Sequence, residues 1–227
     1  MHAIIQTPSP KFSESVDFYR KLDFKILSDS PYQVTDGKVV VEINPDSFAR
    51  PGIKLIDKSW VDVVEKLKLS TSVLSLEGGG YLFADPSGAW IYLIESNVER
   101  VRNSDESFSV LGNYAGVSLE SINMQHSIDV WGILGFKISM GGVEQGWVSL
   151  ERDGVTISVM KPFSCPHLFF NPSLTYFNGG KNLPVIQKIR EKGISISEEI
   201  TAFNQEDIVD NIIIRDPGGY GFFIFND

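Results

Sequence analysis

The chain has 227 residues, 42% of them hydrophobic and 22% charged, with a formal net charge of −9 and a pI near 4.9. That is enough polypeptide for one large or two small domains with a sizeable core. The acidic balance excludes a phosphate backbone or an anionic membrane as the obvious partner, because both require a basic face. Cys165 is the only cysteine, so no internal disulfide can form, and a reducing compartment fits. The N-terminus lacks a basic region followed by an apolar stretch and a cleavage site. No apolar run approaches the roughly 18 residues of a membrane span, and a cytoplasmic location is expected.

In chain order, residues 2–7 read as a short strand. Ser9 and Pro10 read as a helix start, with a hydroxyl cap followed by a proline whose missing N–H does no harm. Phe12, Val16, Tyr19 and Leu22 then recur at helical spacing. Strands are predicted around Phe24–Ser28, Tyr32–Thr35 and Lys38–Ile43, with Asp36-Gly37 as the hairpin turn. A second unit follows: strand Ile53–Ile56, a helix capped by Ser59, strands near Ser72–Leu76 and Tyr81–Ala84, and the closing strand Trp90–Ile94. The turn before that last strand is Asp85-Pro86-Ser87-Gly88, a type I pattern with Pro second and Gly fourth.

Residues 98–111 have little that could be buried and read as a linker between an N-terminal domain (1–97) and a C-terminal domain (112–227). The second domain repeats the first. Ser127-Ile128-Asp129-Val130-Trp131 echoes Ser15-Val16-Asp17-Phe18-Tyr19, Asp153-Gly154 echoes Asp36-Gly37, and Asp216-Pro217-Gly218-Gly219 echoes the Asp85 turn. Helices are predicted from Met124 to Leu134 and from Leu183 to Lys192. One segment, Ser197–Ile208, has no counterpart of similar length and is a candidate lid or a surface loop. Four strand-helix-strand-strand-strand units paired as two halves make an internal repeat, and the expected class is α+β.

The Ser-x-x-Phe-Tyr-x-x-Leu-x-Phe run at Ser15–Phe24, its echo at Ser127–Phe136 and the two Asp-Pro-x-Gly turns resemble the vicinal oxygen chelate superfamily. That group includes glyoxalase I, extradiol dioxygenases and bleomycin-resistance proteins. The resemblance implies four βαβββ modules paired into two glyoxalase-like domains, each a curved mixed sheet with helices outside. It also implies a divalent metal in the sheet's concavity, held by His, Gln or Glu from the first and last strands of paired modules. Carried over residue by residue, those places fall on Ile4, Glu42, Gly52 or Ile53, and Tyr92 in the first half. In the second half they fall on Gly116, about Val159, Leu174 and Phe223. Only Glu42 keeps an obvious ligand. Strand alternation puts His2, Ile4 and Gln6 on one face, so His2 or Gln6 could join Glu42.

Two functional readings follow. The first is a binding protein for a small, partly apolar molecule, with no cofactor; Ile4, Gln6, Glu42, Trp90, Tyr92 and Phe223 are its candidate ligand-binding residues. In the second half, Gly221 and Phe223 leave little chemistry on their face, and those aromatics read first as core. The alternative is a metal-dependent lyase, isomerase or dioxygenase whose ion is held by Glu42 with His2 or Gln6. Four units supply both halves of each concavity, so either a monomer or a homodimer is compatible. The expected partner is a small-molecule ligand rather than nucleic acid or membrane. Adjacent side chains on an extended segment point apart, which argues against Cys165 and His167 acting as a nucleophile pair.

Overall fold

The computed structural model describes residues 1–97, 104 and 106–226; half of the predicted linker, residues 98–103 and 105, lies outside them. The first half runs β1 (His2–Pro8), α1 (Phe12–Lys21), β2 (Lys25–Asp29), β3 (Tyr32–Thr35) and β4 (Val40–Asn44). It continues with β5 (Gly52–Asp57), α2 (Val61–Leu67), β6 (Leu74–Ser75), β7 (Tyr81–Ala84) and β8 (Trp90–Glu95). The second half repeats this as β9 (Tyr114–Glu120), α3 (Met124–Ile133), β10 (Lys137–Gly142), β11 (Trp147–Arg152) and β12 (Val155–Met160). It closes with β13 (Ser173–Phe177), α4 (Asn182–Glu191), β14 (Ile196–Ile200), β15 (Asn211–Arg215) and β16 (Gly221–Phe225). Each half is one eight-stranded mixed sheet. The strand orders, β2-β3-β4-β1-β5-β8-β7-β6 and β10-β11-β12-β9-β13-β16-β15-β14, are the same permutation. The first strands of paired modules meet antiparallel at the centre, Gln6 opposite Gly52 and Thr175 opposite Gly116. Among the described residues no helix is long and apolar enough to cross a membrane.

Alternation gives each sheet two faces. Ile5, Val41, Ile53, Ile91 and Leu93 point to the helix side, as do Val117, Ile157, Val159, Leu174 and Phe222 in the second half. These residues join Tyr19, Trp60, Val64, Trp131 and Ile186 from the helices in one continuous core that spans both halves. The opposite, concave faces carry the polar and aromatic residues considered below.

The hairpin-turn aspartates fasten the halves together. In each of three turns one carboxylate oxygen shapes the turn while the other crosses the interface. Asp36 Oδ1 accepts from the Lys38 and Val39 amides at 2.8 Å each, and its Oδ2 accepts from Tyr176 Oη at 2.9 Å. Asp85 Oδ1 accepts from the Ser87 and Ala89 amides, and its Oδ2 from Trp131 Nε1 at 3.1 Å. Asp216 Oδ1 accepts from the Tyr220 amide, and its Oδ2 from Thr7 Oγ1 (2.6 Å) and Tyr19 Oη (2.9 Å). All three are buried. The fourth, Asp153, lies at the surface and pairs with the N-terminal amine at 3.1 Å.

Two expected helix caps take another form. Helix α1 begins at Phe12 with Lys11 at its cap, while Ser9 turns inward and donates to Ser15 Oγ at 2.8 Å. Ser127 and Ser121 repeat this pair at the same distance. At α2 the cap position is Trp60, whose amide donates to Glu95 Oε1 from β8 at 2.7 Å, so the start is capped from across the sheet. Ser197–Ile200 of the expected insertion belongs to β14, which pairs with β15; only the stretch after it is a loop.

Candidate functional site

On the N-terminal concave face, cross-strand partners bring Gln6, Glu42, Gly52 and Trp90 into one row, with Ile4, Lys54 and Tyr92 in the next. Gln6 and Glu42 are buried. Lys54 Nζ donates to Glu42 Oε1 at 2.6 Å. The Gln6 amide is held at both ends: Nε2 donates to the Arg50 carbonyl and Oε1 accepts from Asn44 Nδ2, each at 3.0 Å. Burial pushes the Tyr92 phenol up, opposed by its hydrogen bond with Gln6. Gly52 leaves no room: a Cβ there would lie 2.8 Å from the Tyr92 ring. Ile4, Gln6, Glu42 and Tyr92 thus gather as expected from alternation. His2 does not join them, because it pairs opposite Ile56, four residues and about 13 Å along the strand from Gln6. Sequence reasoning missed Lys54, whose signal was the one cation in the strand Gly52–Asp57.

On the C-terminal concave face, a cavity of about 770 Å³ lies over β9–β13 and β15–β16, lined chiefly by Trp147, Phe177, Phe203, Phe223, Phe225, Met140 and Met160. Its polar lining comes from Ser118, Ser149, Thr156, Ser158, Thr175, Asn211 and Asn226, with the carboxylates Glu151 and Asp210. Ser118 Oγ and Thr175 Oγ1 hydrogen-bond to each other at 2.7 Å on the two central strands. Phe223 borders this cavity and is itself fully buried, packed with Ile200 and Ile213 in a small core cluster, as its core reading expects. Two transferred positions shift by one residue: Leu174 and Val159 face the helix-side core, and their neighbours Thr175 and Ser158 face the cavity. A ladder irregularity between Thr175 and Tyr176 accompanies that change of face.

The segment 161–172 crosses this concave face. Phe170 packs so closely on Gly221 that a Cβ there would lie 2.5 Å from Phe170 Cβ. His167 packs at 5.3 Å from the Phe223 ring and 5.2 Å from Phe225. Its Nδ1 lies 2.7 Å from the Leu168 carbonyl, and Nε2 is buried without a hydrogen-bond partner. Cys165 lines the cavity, and burial, helped by Glu120, pushes its thiol up.

Among solved structures, homoprotocatechuate 2,3-dioxygenase from Arthrobacter globiformis superposes with a TM-score of 0.63 at 13% identity, covering 99% of this chain and 78% of that one. The Y257F variant of homoprotocatechuate 2,3-dioxygenase from B. fuscum gives 0.61 at 14% identity, covering 99% and 70%. The fold is the two-domain vicinal oxygen chelate fold. No family model and no curated protein sequence matches the chain. The metal implied by that fold finds no fitting donor set here. Among the described residues no three His, Cys, Asp or Glu side chains converge. On the central and closing strands of the vicinal oxygen chelate fold's C-terminal half, the inward side chains are Ser118, Thr175, Ser158 and Phe223. Neutral hydroxyls and a phenyl ring are poor ligands for a divalent ion. In the other half the carboxylate at a transferred position, Glu42, is engaged by Lys54.

Proposed function

We propose that the protein binds a small, partly apolar molecule in the C-terminal concavity without using a catalytic metal ion. The observation that carries this reading is the cavity itself: about 770 Å³, walled by five aromatic rings and two methionines, with hydroxyls and amides at spaced positions. Such a lining suits a flat ligand oriented by a few polar contacts. The polar N-terminal face, closed by the Lys54–Glu42 pair and the clamped Gln6, supports a structural role for that half.

The competing reading is a metal-dependent lyase, isomerase or dioxygenase centred on Glu42 with Gln6 or His2. It draws its support from the neighbours' names, which describe ring-cleaving dioxygenases. Calorimetric titration with 2-(1-naphthyl)ethanol separates the two. Saturable micromolar binding, weakened at least tenfold when Ser149→Trp fills the cavity, supports the proposal. Saturation at about a hundred times Kd should also raise stability by roughly 2.7 kcal/mol. A comparably large thermal shift with Fe, Mn, Ni or Zn instead, abolished in Glu42→Gln, would establish the metal-dependent alternative.

A further inference from the structure

We infer that the ligand of the C-terminal cavity is an organic cation, an aromatic or aliphatic body carrying an amine, quaternary ammonium or guanidinium group. This inference rests on the binding reading above and specifies the ligand class. Two carboxylates, Glu151 and Asp210, line the cavity, and no Lys, Arg or His does so among the described residues. Lys137 lies opposite Glu151 in the ladder on the outermost strand and is not among the lining residues; nor is His167, which packs on the Phe223 and Phe225 rings.

Strand register places both carboxylates toward one end. Glu151 is opposite Thr156 on β12, in the stretch where Gly116 packs on Thr156. Gly116 is in turn opposite Thr175, and Thr175 opposite Phe223. Asp210 immediately precedes Asn211, whose Oδ1 accepts from the Asn226 amide just beyond Phe225, one step further along the same direction. The Asp210 carboxylate is oriented by Asn211 Nδ2 at 2.7 Å and Asn226 Nδ2 at 3.5 Å. β11 and β15 stand second from the two opposite edges of the sheet, so one acid comes from each side of it.

The opposite end of the cavity is apolar and soft, with Trp147 directly across the ladder from Met160. A cation therefore meets carboxylates at one end and ring faces on its flanks. Desolvated ring–cation contacts contribute about 2 kcal/mol. An anionic ligand finds no counter-charge among the lining residues, and the chain's net charge of −9 repels it during approach.

The test uses three probes that share one ring system: 2-(1-naphthyl)ethylamine, 2-(1-naphthyl)ethanol and 1-naphthylacetate, each titrated calorimetrically into the full chain at low and high salt. The amine is expected to bind about tenfold or more tighter than the alcohol. The acetate should be the weakest, and the amine's advantage should narrow with salt. In Glu151→Gln, and separately in Asp210→Asn, the amine should lose more affinity than the alcohol. Asp210 also orients two amides, so Glu151→Gln is the decisive variant, and its circular dichroism and melting temperature check folding. Equal binding of alcohol and amine, or tightest binding of the acetate, overturns the charge assignment while leaving the cavity's binding role intact. Binding by none of the three overturns both.

Discussion

At the scale of single residues, the aspartate that begins a turn does two jobs. Asp216 presents one oxygen to its own turn and the other to Thr7 and Tyr19, more than 190 positions away in the chain. Replacing it by alanine leaves two buried hydroxyls and a turn amide without their acceptor, at about 1–3 kcal/mol for each unsatisfied donor. Asp216→Ala should therefore lower the unfolding free energy by roughly 3 kcal/mol or more, read from the urea midpoint. Asp153→Ala, which removes a surface pair with the N-terminal amine, should cost about 1 kcal/mol or less. The sequence displayed all four turns as motifs. What it could not display was the partner of the second oxygen, because Trp131, Tyr176 and Tyr19 reach those turns only through the packing of one half on the other.

At the scale of elements, the segment 161–172 decides where open space remains. It rests on β16 through Phe170 against Gly221 and through His167 against Phe223 and Phe225. Gly221→Ala would drive a Cβ into Phe170 Cβ, a collision that only a backbone shift can relieve. It should destabilise by about 1–3 kcal/mol. Hydrogen exchange across 161–172 should quicken in the same variant; unchanged protection there would show that the segment is anchored elsewhere.

Alternation along β1 and β8 was readable, so the faces of Ile4, Gln6, Trp90 and Tyr92 came out as expected. Along β13 the count slipped by one, and a one-residue slip turns every side chain over. That is why Leu174 was placed where Thr175 sits. The cavity's location was not readable at all. It depends on Lys54 reaching Glu42 in one half and on where the 161–172 segment packs on β16 in the other, and both are contacts distant in sequence that no local pattern encodes.

At the scale of the whole molecule, the three buried turn carboxylates give the interface between the halves a pH signature. Burial raises the pKa of Asp36, Asp85 and Asp216 above the ordinary 3.8, against the pull of their hydrogen bonds. The folded state therefore holds protons that an unfolded aspartate has released. The stabilisation this brings is complete below 3.8 and disappears as the pH rises through the elevated values. Asp85→Asn removes one such group, so wild-type stability minus that of Asp85→Asn should grow as the pH falls from neutrality through that window. Urea melts at a series of pH values would show it, and a difference that shrinks on acidification would refute the assignment.

The single core running from Tyr19 and Trp60 through Trp131 to Ile186 has a further consequence. Neither repeat retains a finished exterior once its twin is removed, since the surface laid bare would be tryptophan, tyrosine and leucine. Calorimetry should accordingly record one cooperative melting event for the whole polypeptide, and either repeat expressed separately should aggregate.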